Sequence, residues 1–433
     1  MKNITPRERF YGGSIAILVC MVALYIVSGI YGEEGLVGAL FSHLHTVSLV
    51  GAIIIFVIIT GTFAVQNKFY KGFRYGRIYA TVMSKLEQQL LDAGYYQHDK
   101  AGRIRLPKIT LTLSQDLTSG CIRIENCIKL DRSLEDLDLS AGIGKYVVER
   151  SYGAADRNQV VYEIYDFRTA NSQIFNSFRE YAEYCKSDEP YRLKIDARTE
   201  LALQGMLIVG QTGTGKTYSL YGLILQMLLK PVTYNLYFAD PKGSSLYALG
   251  QILGIKTNAV SVDDIIVALR AFHQKMMERR HKLQRYLADQ IDADYRTFQM
   301  EPFVFVFDEF ASFMGVVKTL DKGTRDQINV YLRDIVLLGR QLGFFLVVCM
   351  QKSDAELIPT ALRDNLPIKI VLGMAEPTTY QTTYGAGFDP PKRIFDIGEG
   401  LIHAPGFGSK PKICAFPTLR FDIAQAAKKL RKE

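Results

Sequence analysis

The chain has no tryptophan, and its aromatic content rests on 25 tyrosines and 24 phenylalanines. It has no C-x-x-C pair: the six cysteines (Cys20, Cys121, Cys127, Cys185, Cys349, Cys414) are scattered. Cys121 and Cys127 are too far apart for a usual zinc knuckle, and no histidine cluster accompanies them. These absences exclude a disulfide framework and a cysteine-rich metal site. All six cysteines read as reduced thiols of a cytosol-facing protein. A large excess of one charge is also missing. The net +8 is compatible with a polyanionic partner or an anionic membrane face and proves neither. At 433 residues the chain has room for two or three domains.

Long hydrophobic runs, in contrast, are present. Tyr11 to Ile30 carries no charge, and after Glu33-Glu34 the stretch Gly35 to Gln66 is again uncharged, most apolar from Val47 to Val65. Each can cross a hydrocarbon core of about 30 Å. The first is too long, and lacks a small-residue cleavage site, for a simple signal peptide. Lys2, Arg7 and Arg9 precede it, Lys68, Lys71, Arg74 and Arg77 follow the second run, and the turn between them holds only acid. The positive-inside rule then predicts a cell-membrane hairpin with both termini cytoplasmic. The basic residues after the second span can also meet anionic lipid headgroups. A buried helical hairpin of a soluble fold is the alternative.

The most informative short stretch is Gly210-Gln211-Thr212-Gly213-Thr214-Gly215-Lys216-Thr217, which fits G-x-x-x-x-G-K-[ST]. Met206 to Val209 reads as a buried strand before it, and Tyr218 to Leu229 as a helix after it. That context lets backbone N–H groups converge on phosphate oxygens at a helix N-terminus. Lys216 is expected to reach the β- and γ-phosphates and the Thr217 hydroxyl to hold Mg²⁺, with Tyr218 completing the cofactor-binding set. Downstream, Phe303 to Phe307 is an apolar run typical of a central parallel strand, and it ends in Asp308-Glu309. Open α/β sheets bind ligands at such carboxyl ends. Asp308 is placed to hold the Mg²⁺ shell, and Glu309 to orient or deprotonate the attacking water. Together the two motifs predict ATP hydrolysis.

Four parts are expected: two transmembrane helices over 1–66, a small membrane-proximal α+β domain over 67–195, an ATPase motor over 196–420 and a basic tail over 421–433. In the second part, Ile78 to Leu91 has amphipathic helical spacing, Ile109–Leu113 and Cys121–Ile124 alternate as strands do, and Phe175 to Cys185 is aromatic and charged at helical spacing. Those aromatics could stack on nucleic-acid bases or fill a core. In the third part strands and helices alternate. Tyr234–Phe238 leads to Asp240-Pro241-Lys242-Gly243, a long helix spans Val262–Gln290, and a helix over Thr324–Gln341 precedes a strand over Phe344–Cys349. A further strand runs from Pro367 to Leu372. This alternation implies a parallel sheet covered by helices on both faces.

These marks, in this order, resemble the motor domain of FtsK/SpoIIIE-type DNA translocases over roughly residues 195–417. The resemblance rests on the phosphate loop, the Asp-Pro-Lys, the Met277-Glu278-Arg279 helix, the Phe-Asp-Glu-Phe strand end and the Gly339-Arg340-Gln341-Leu342-Gly343 lead into a strand ending in Gln351. It continues through Ile358-Pro359, Arg363-Asp364-Asn365-Leu366-Pro367 and Gly398-Glu399-Gly400-Leu401-Ile402, which is similar to the family's late hairpin. It implies a RecA-like P-loop NTPase fold, a ring that is usually hexameric, and DNA threaded through it. It also implies that Gln351 senses the γ-phosphate. An amide beside an acidic pair suits that role, and a satisfied core amide is the alternative.

Two segments depart from the family pattern. Met350-Gln351-Lys352-Ser353 stands where Thr-Gln-Arg-Pro is usual, and Glu376-Pro377-Thr378-Thr379-Tyr380 lacks the arginine often offered to a neighbouring subunit. Arg340 or Arg363 is the expected substitute, or both are structural ion-pair residues. With two spans, one motor and no low-complexity linker, the chain looks like the compact coupling proteins of Gram-positive conjugative plasmids and integrative elements. The implied role is to deliver DNA to a transfer channel, with a relaxase and channel proteins as partners. A type VII-like protein-export ATPase and a chromosome-segregation pump are the alternatives.

Overall fold

The computed structural model describes residues 5–30, 36–100, 102–125, 139, 143–154, 158–166, 173–186, 189–286, 292–353, 358–388, 394–407 and 411–432. Lys2, Cys127 and the acidic Glu33-Glu34 turn lie outside the described residues. The chain divides into two compact units, Met1–Thr169 and Ala170–Glu433.

The first unit begins with helices α1 (Pro6–Ile30) and α2 (Leu36–Gln66). Both are long and apolar enough to cross a membrane, over Phe10–Ile30 and Ser42–Gln66. They run antiparallel. Tyr11 donates its hydroxyl to Gln66 Oε1 at 2.7 Å near one end, and Tyr25 stacks on His45 at 4.0 Å near the other. Apolar side chains such as Ile15, Val19, Ile53, Phe56 and Val57 are exposed along both helices. A continuous apolar surface of this kind is uncommon on a soluble protein. Helix α3 (Phe73–Asp92) buries Tyr75, Tyr79, Val82, Met83, Leu86 and Leu90, one face at 3–4-residue spacing. That stripe joins the core of an antiparallel sheet of β1 (Ile109–Leu113), β2 (Ser119–Glu125), β3 (Tyr146–Gly153) and β4 (Gln159–Asp166), ordered β1-β2-β4-β3.

The second unit is built on an eight-stranded sheet. Its strands are β5 (Met206–Gly210), β6 (Asn235–Ala239), β7 (Thr257–Ala259), β8 (Phe303–Phe307), β9 (Phe344–Met350), β10 (Ile368–Leu372), β11 (Glu399–His403) and β12 (Lys412–Ala415). Their order is β7-β6-β8-β9-β5-β10-β11-β12. The first six are parallel, and β11 and β12 form an antiparallel hairpin on β10. All seven residues of β9 and all five of β5 are buried, so these strands read as continuous apolar runs. Alternate residues serve the two faces. Leu207, Val209, Phe305, Phe307 and Val348 meet α7 (Val262–Tyr286), α8 (Phe310–Val317) and α9 (Lys322–Leu342). Met206, Ile208, Val306 and Val347 meet α5 (Lys216–Leu228) and α6 (Ser245–Leu253).

The division falls at 169/170, upstream of the 195/196 boundary expected from sequence. Helix α4 (Phe178–Cys185) explains why. Its Tyr181 and Cys185 are buried against Leu225, Leu419 and Ala426 of the motor, and the Tyr181 hydroxyl donates to the Gly222 carbonyl at 2.9 Å. A short strand at Ile174–Phe175 also pairs with Thr418–Leu419. The stripe of aromatics is therefore core. The C-terminal residues likewise form a packed helix, α10 (Ile423–Lys432). Ala426 and Ala427 are buried and Leu430 is half-buried, while Lys428 and Lys429 face solvent. The i, i+3, i+4, i+7 spacing of Ile423, Ala426, Ala427 and Leu430 supplies the apolar face that holds it.

Candidate nucleotide-binding site

Four strand ends build the site. β5 delivers the glycine-rich loop, which turns into α5 at Lys216. Gly215 precedes it with φ +93°, a left-handed conformation that costs a side chain. A Cβ there would lie 2.8 Å from the Gly398 nitrogen. The close approach is used: the Gly398 N–H donates to the Thr214 carbonyl at 2.9 Å, tying the loop to the start of β11. β6 delivers Asp240, β8 delivers Asp308 and Glu309, and β9 delivers Gln351. β9 lies between β5 and β8, so Gln351 stands between the phosphate loop and the acidic pair.

The loop, Asp308, Glu309 and Gln351 line one open cavity of about 620 Å³, together with Thr217, Tyr218, Lys242 and Ile397, whereas Asp240 is buried outside its lining. Of the expected loop residues, Gln211, Thr212, Gly213, Gly215, Lys216, Thr217 and Tyr218 line it. Gly210 is buried at the end of β5, and Thr214 folds back to donate its hydroxyl to the Gln211 carbonyl at 2.8 Å. Gln351 is exposed to the cavity, which removes the alternative of a satisfied core amide.

Two carboxylates, Asp308 and Glu309, line the cavity with two ammonium groups, Lys216 and Lys242. Burial pushes the Asp308 carboxyl above its ordinary range; the Lys216 ammonium opposes this, and Asp240 and Glu309 add to it. Asp240 is fully buried and accepts from the backbone N–H of Lys242, Ser244 and Tyr247 at 3.1, 2.8 and 3.1 Å. It thereby organises the turn into α6. Glu309 sits at the start of α8 with φ +54°, a left-handed conformation that costs a non-glycine residue about 1–3 kcal/mol and recurs where function over-determines the backbone. Its carboxylate accepts an ion-paired hydrogen bond from Lys242 Nζ at 3.0 Å. Sequence reasoning had given Lys242 no role; its signal was the Asp-Pro-Lys at a strand end. The Thr217 hydroxyl and Asp308 carboxylate are hard oxygen donors suited to Mg²⁺, which takes few protein ligands and shares phosphates and water.

Neither expected arginine lines this cavity. Arg363 is largely buried and paired with Asp364 at 3.2 Å; it lines a separate cavity with Lys369 and Thr378. Arg340 is exposed beside Gln204, Phe344 and Pro367, at the end of the sheet opposite the phosphate loop. The two segments that depart from the family pattern meet each other: Lys352 Nζ pairs with Glu376 Oε2 at 2.7 Å.

The sheet order, the glycine-rich loop on β5 and the acidic end of β8 define a RecA-like P-loop NTPase domain. Residues 168–366 match the FtsK/SpoIIIE family. The FtsK domain-containing protein YdcQ of Bacillus subtilis is 31% identical over 183 residues, which cover 42% of this chain and 37% of that protein. The DNA translocase FtsK of Staphylococcus epidermidis is 24% identical over 201 residues, covering 42% of this chain and 24% of that protein. The match thus spans well under half the length of either curated relative. Among solved structures, the pCW3 conjugation coupling protein TcpA, in a monomer form with ATPγS, aligns with TM-score 0.49 and 15% identity over 81% of this chain and 98% of that one.

Proposed function

We propose that the chain is a membrane-anchored ATPase that drives DNA translocation, acting as a coupling protein that delivers DNA to a conjugative transfer channel. One observation carries this: the phosphate loop, the acidic strand end and Gln351 open on a single cavity, within a segment matched to a family of DNA translocases.

In this reading the loop amides and Lys216 bind the nucleotide phosphates, and Thr217 and Asp308 would hold Mg²⁺, which when bound would supply positive charge beside the transferred phosphoryl group. Glu309 takes a proton from water as the water oxygen bonds to the γ-phosphorus and the bond to the β–γ bridging oxygen breaks. ADP leaves with that oxygen, and the proton passes to the released phosphate. Gln351 bonds the γ-phosphate or the water and relays its loss along β9. α1 and α2 cross the cell membrane, and Lys68, Lys71, Arg74 and Arg77 keep both termini cytoplasmic. Subunits close into a ring, hexameric in the family's usual manner, around DNA gripped through its phosphates. Arg363, and second Arg340, would be offered to a neighbour's nucleotide. A relaxase and channel proteins are the expected further partners.

The test is Lys216→Ala. Removing the ammonium that offsets β/γ-phosphate charge should abolish hydrolysis and weaken ATP binding. Near-parental turnover would remove the assignment of the phosphate loop.

A further inference from the structure

Lys242 lies in the nucleotide cavity without a part in the mechanism above. Its surroundings set it apart from an ordinary surface lysine. The backbone of its turn is clamped, because buried Asp240 holds the N–H groups of Lys242, Ser244 and Tyr247 and also accepts from the Ser244 hydroxyl at 3.1 Å. The side chain is not clamped: it is 47% exposed, against 10% for its partner Glu309. It lines the same cavity as Lys216 and Thr217. Its Nζ donates to the carboxylate assigned to activate water, at 3.0 Å.

While that ion pair stands, Glu309 Oε2 is engaged by the ammonium and not open to a water. A γ-phosphoryl group entering the cavity brings more charge than a single carboxylate and offers several oxygens to an ammonium donor. A diphosphate leaves that position empty. We propose that Lys242 is a second γ-phosphate cation that holds Glu309 when no γ-phosphate is present and transfers to the γ-phosphate when one arrives, leaving Glu309 open to water. Lys242 thus both tightens the triphosphate state and restrains Glu309 in the diphosphate and empty states. Because the Asp240 turn runs directly into α6, the exchange is also tied to the start of that helix. The proposal rests on the reading of the cavity as an ATP site.

The experiment measures binding of ATPγS and of ADP, each with Mg²⁺, to the full chain and to Lys242→Ala, Lys242→Met and Lys242→Arg. The expected result is an ATPγS affinity lower by about tenfold in the alanine and methionine variants, as for loss of a charge-assisted hydrogen bond. ADP affinity should change less than about twofold, since that ligand makes no such bond. The arginine variant should recover most of the ATPγS preference. Methionine keeps the length of the stem, so equal losses in the alanine and methionine variants assign the effect to charge and not packing. Melting temperatures near the parent's show that the turn is intact. Equal losses for both nucleotides, or no loss for either, overturn the proposal. Lys216→Ala serves as the separate control. If it binds both nucleotides like the parent, the ATP-site reading itself fails. If it loses them while the Lys242 variants keep the parental ratio, only the role of Lys242 fails.

Discussion

Two glycines of the phosphate loop allow backbone strain to be separated from steric contact. Gly213 and Gly215 both have left-handed φ, +87° and +93°. A Cβ on Gly213 would meet nothing within 4 Å, whereas one on Gly215 would lie 2.8 Å from the Gly398 nitrogen and 3.1 Å from its Cα. Gly213→Ala should therefore cost only the left-handed penalty of about 1–2 kcal/mol. Gly215→Ala adds forced displacement of backbone, worth about 1–3 kcal/mol, and endangers the bond from the Gly398 N–H to the Thr214 carbonyl. The total is about 2–5 kcal/mol. For a unit of this size each kcal/mol moves the melting temperature by about 2–4 °C. Thermal melting of the purified full chain should thus show a drop of roughly 2–8 °C for Gly213→Ala and a clearly larger one for Gly215→Ala. Nucleotide binding should fall further in the second variant, since the loop itself moves. Equal shifts for the two substitutions would refute the contact between the loop and the β11 start.

Two further outcomes follow from the site. The Asp308 carboxyl is raised by burial, so the folded state holds its proton more tightly than the unfolded one, and the ionised form destabilises the nucleotide-free fold at neutral pH. Asp308→Asn should then raise the melting temperature without nucleotide at pH 7, the gain shrinking as pH falls through the folded-state pKa, while Mg²⁺-dependent ATP binding is lost; an unchanged or lower melting temperature at pH 7 would refute this. Mixing Lys216→Ala with Arg363→Ala subunits should restore part of the hydrolysis missing from either alone, because some interfaces pair an intact loop with an intact arginine; no recovery in assembled mixtures, for Arg363 or for Arg340, would exclude a shared site.

The motor's strands were legible because buried parallel strands are uniformly apolar: Phe303–Phe307 and Phe344–Met350 admit few other readings. The amphipathic α3 was legible from its spacing. β3 and β4 were not singled out, since Tyr146–Gly153 and Gln159–Asp166 mix charge with apolar residues and acquire their burial only from a sheet assembled over long sequence distances. The same limit explains α4 and α10. Aromatic or basic residues dominate their sequences, but small buried positions such as Ala426 and Ala427 decide where they pack. At the site, residue types and their order pointed to Lys216, Thr217, Asp308, Glu309 and Gln351, which the structure gathers around one cavity. The Lys242–Glu309 pair spans 67 residues and belongs to no local pattern, so only the fold could reveal it.

The most direct test measures ATP turnover by the full chain with and without duplex DNA, across unrelated sequences and a range of salt, with Lys216→Ala as the inactive control. A DNA-driving motor predicts turnover that rises with any duplex and a stimulation that weakens steeply as salt displaces phosphate contacts. Turnover that is present but indifferent to DNA would contradict it and favour a protein-export ATPase.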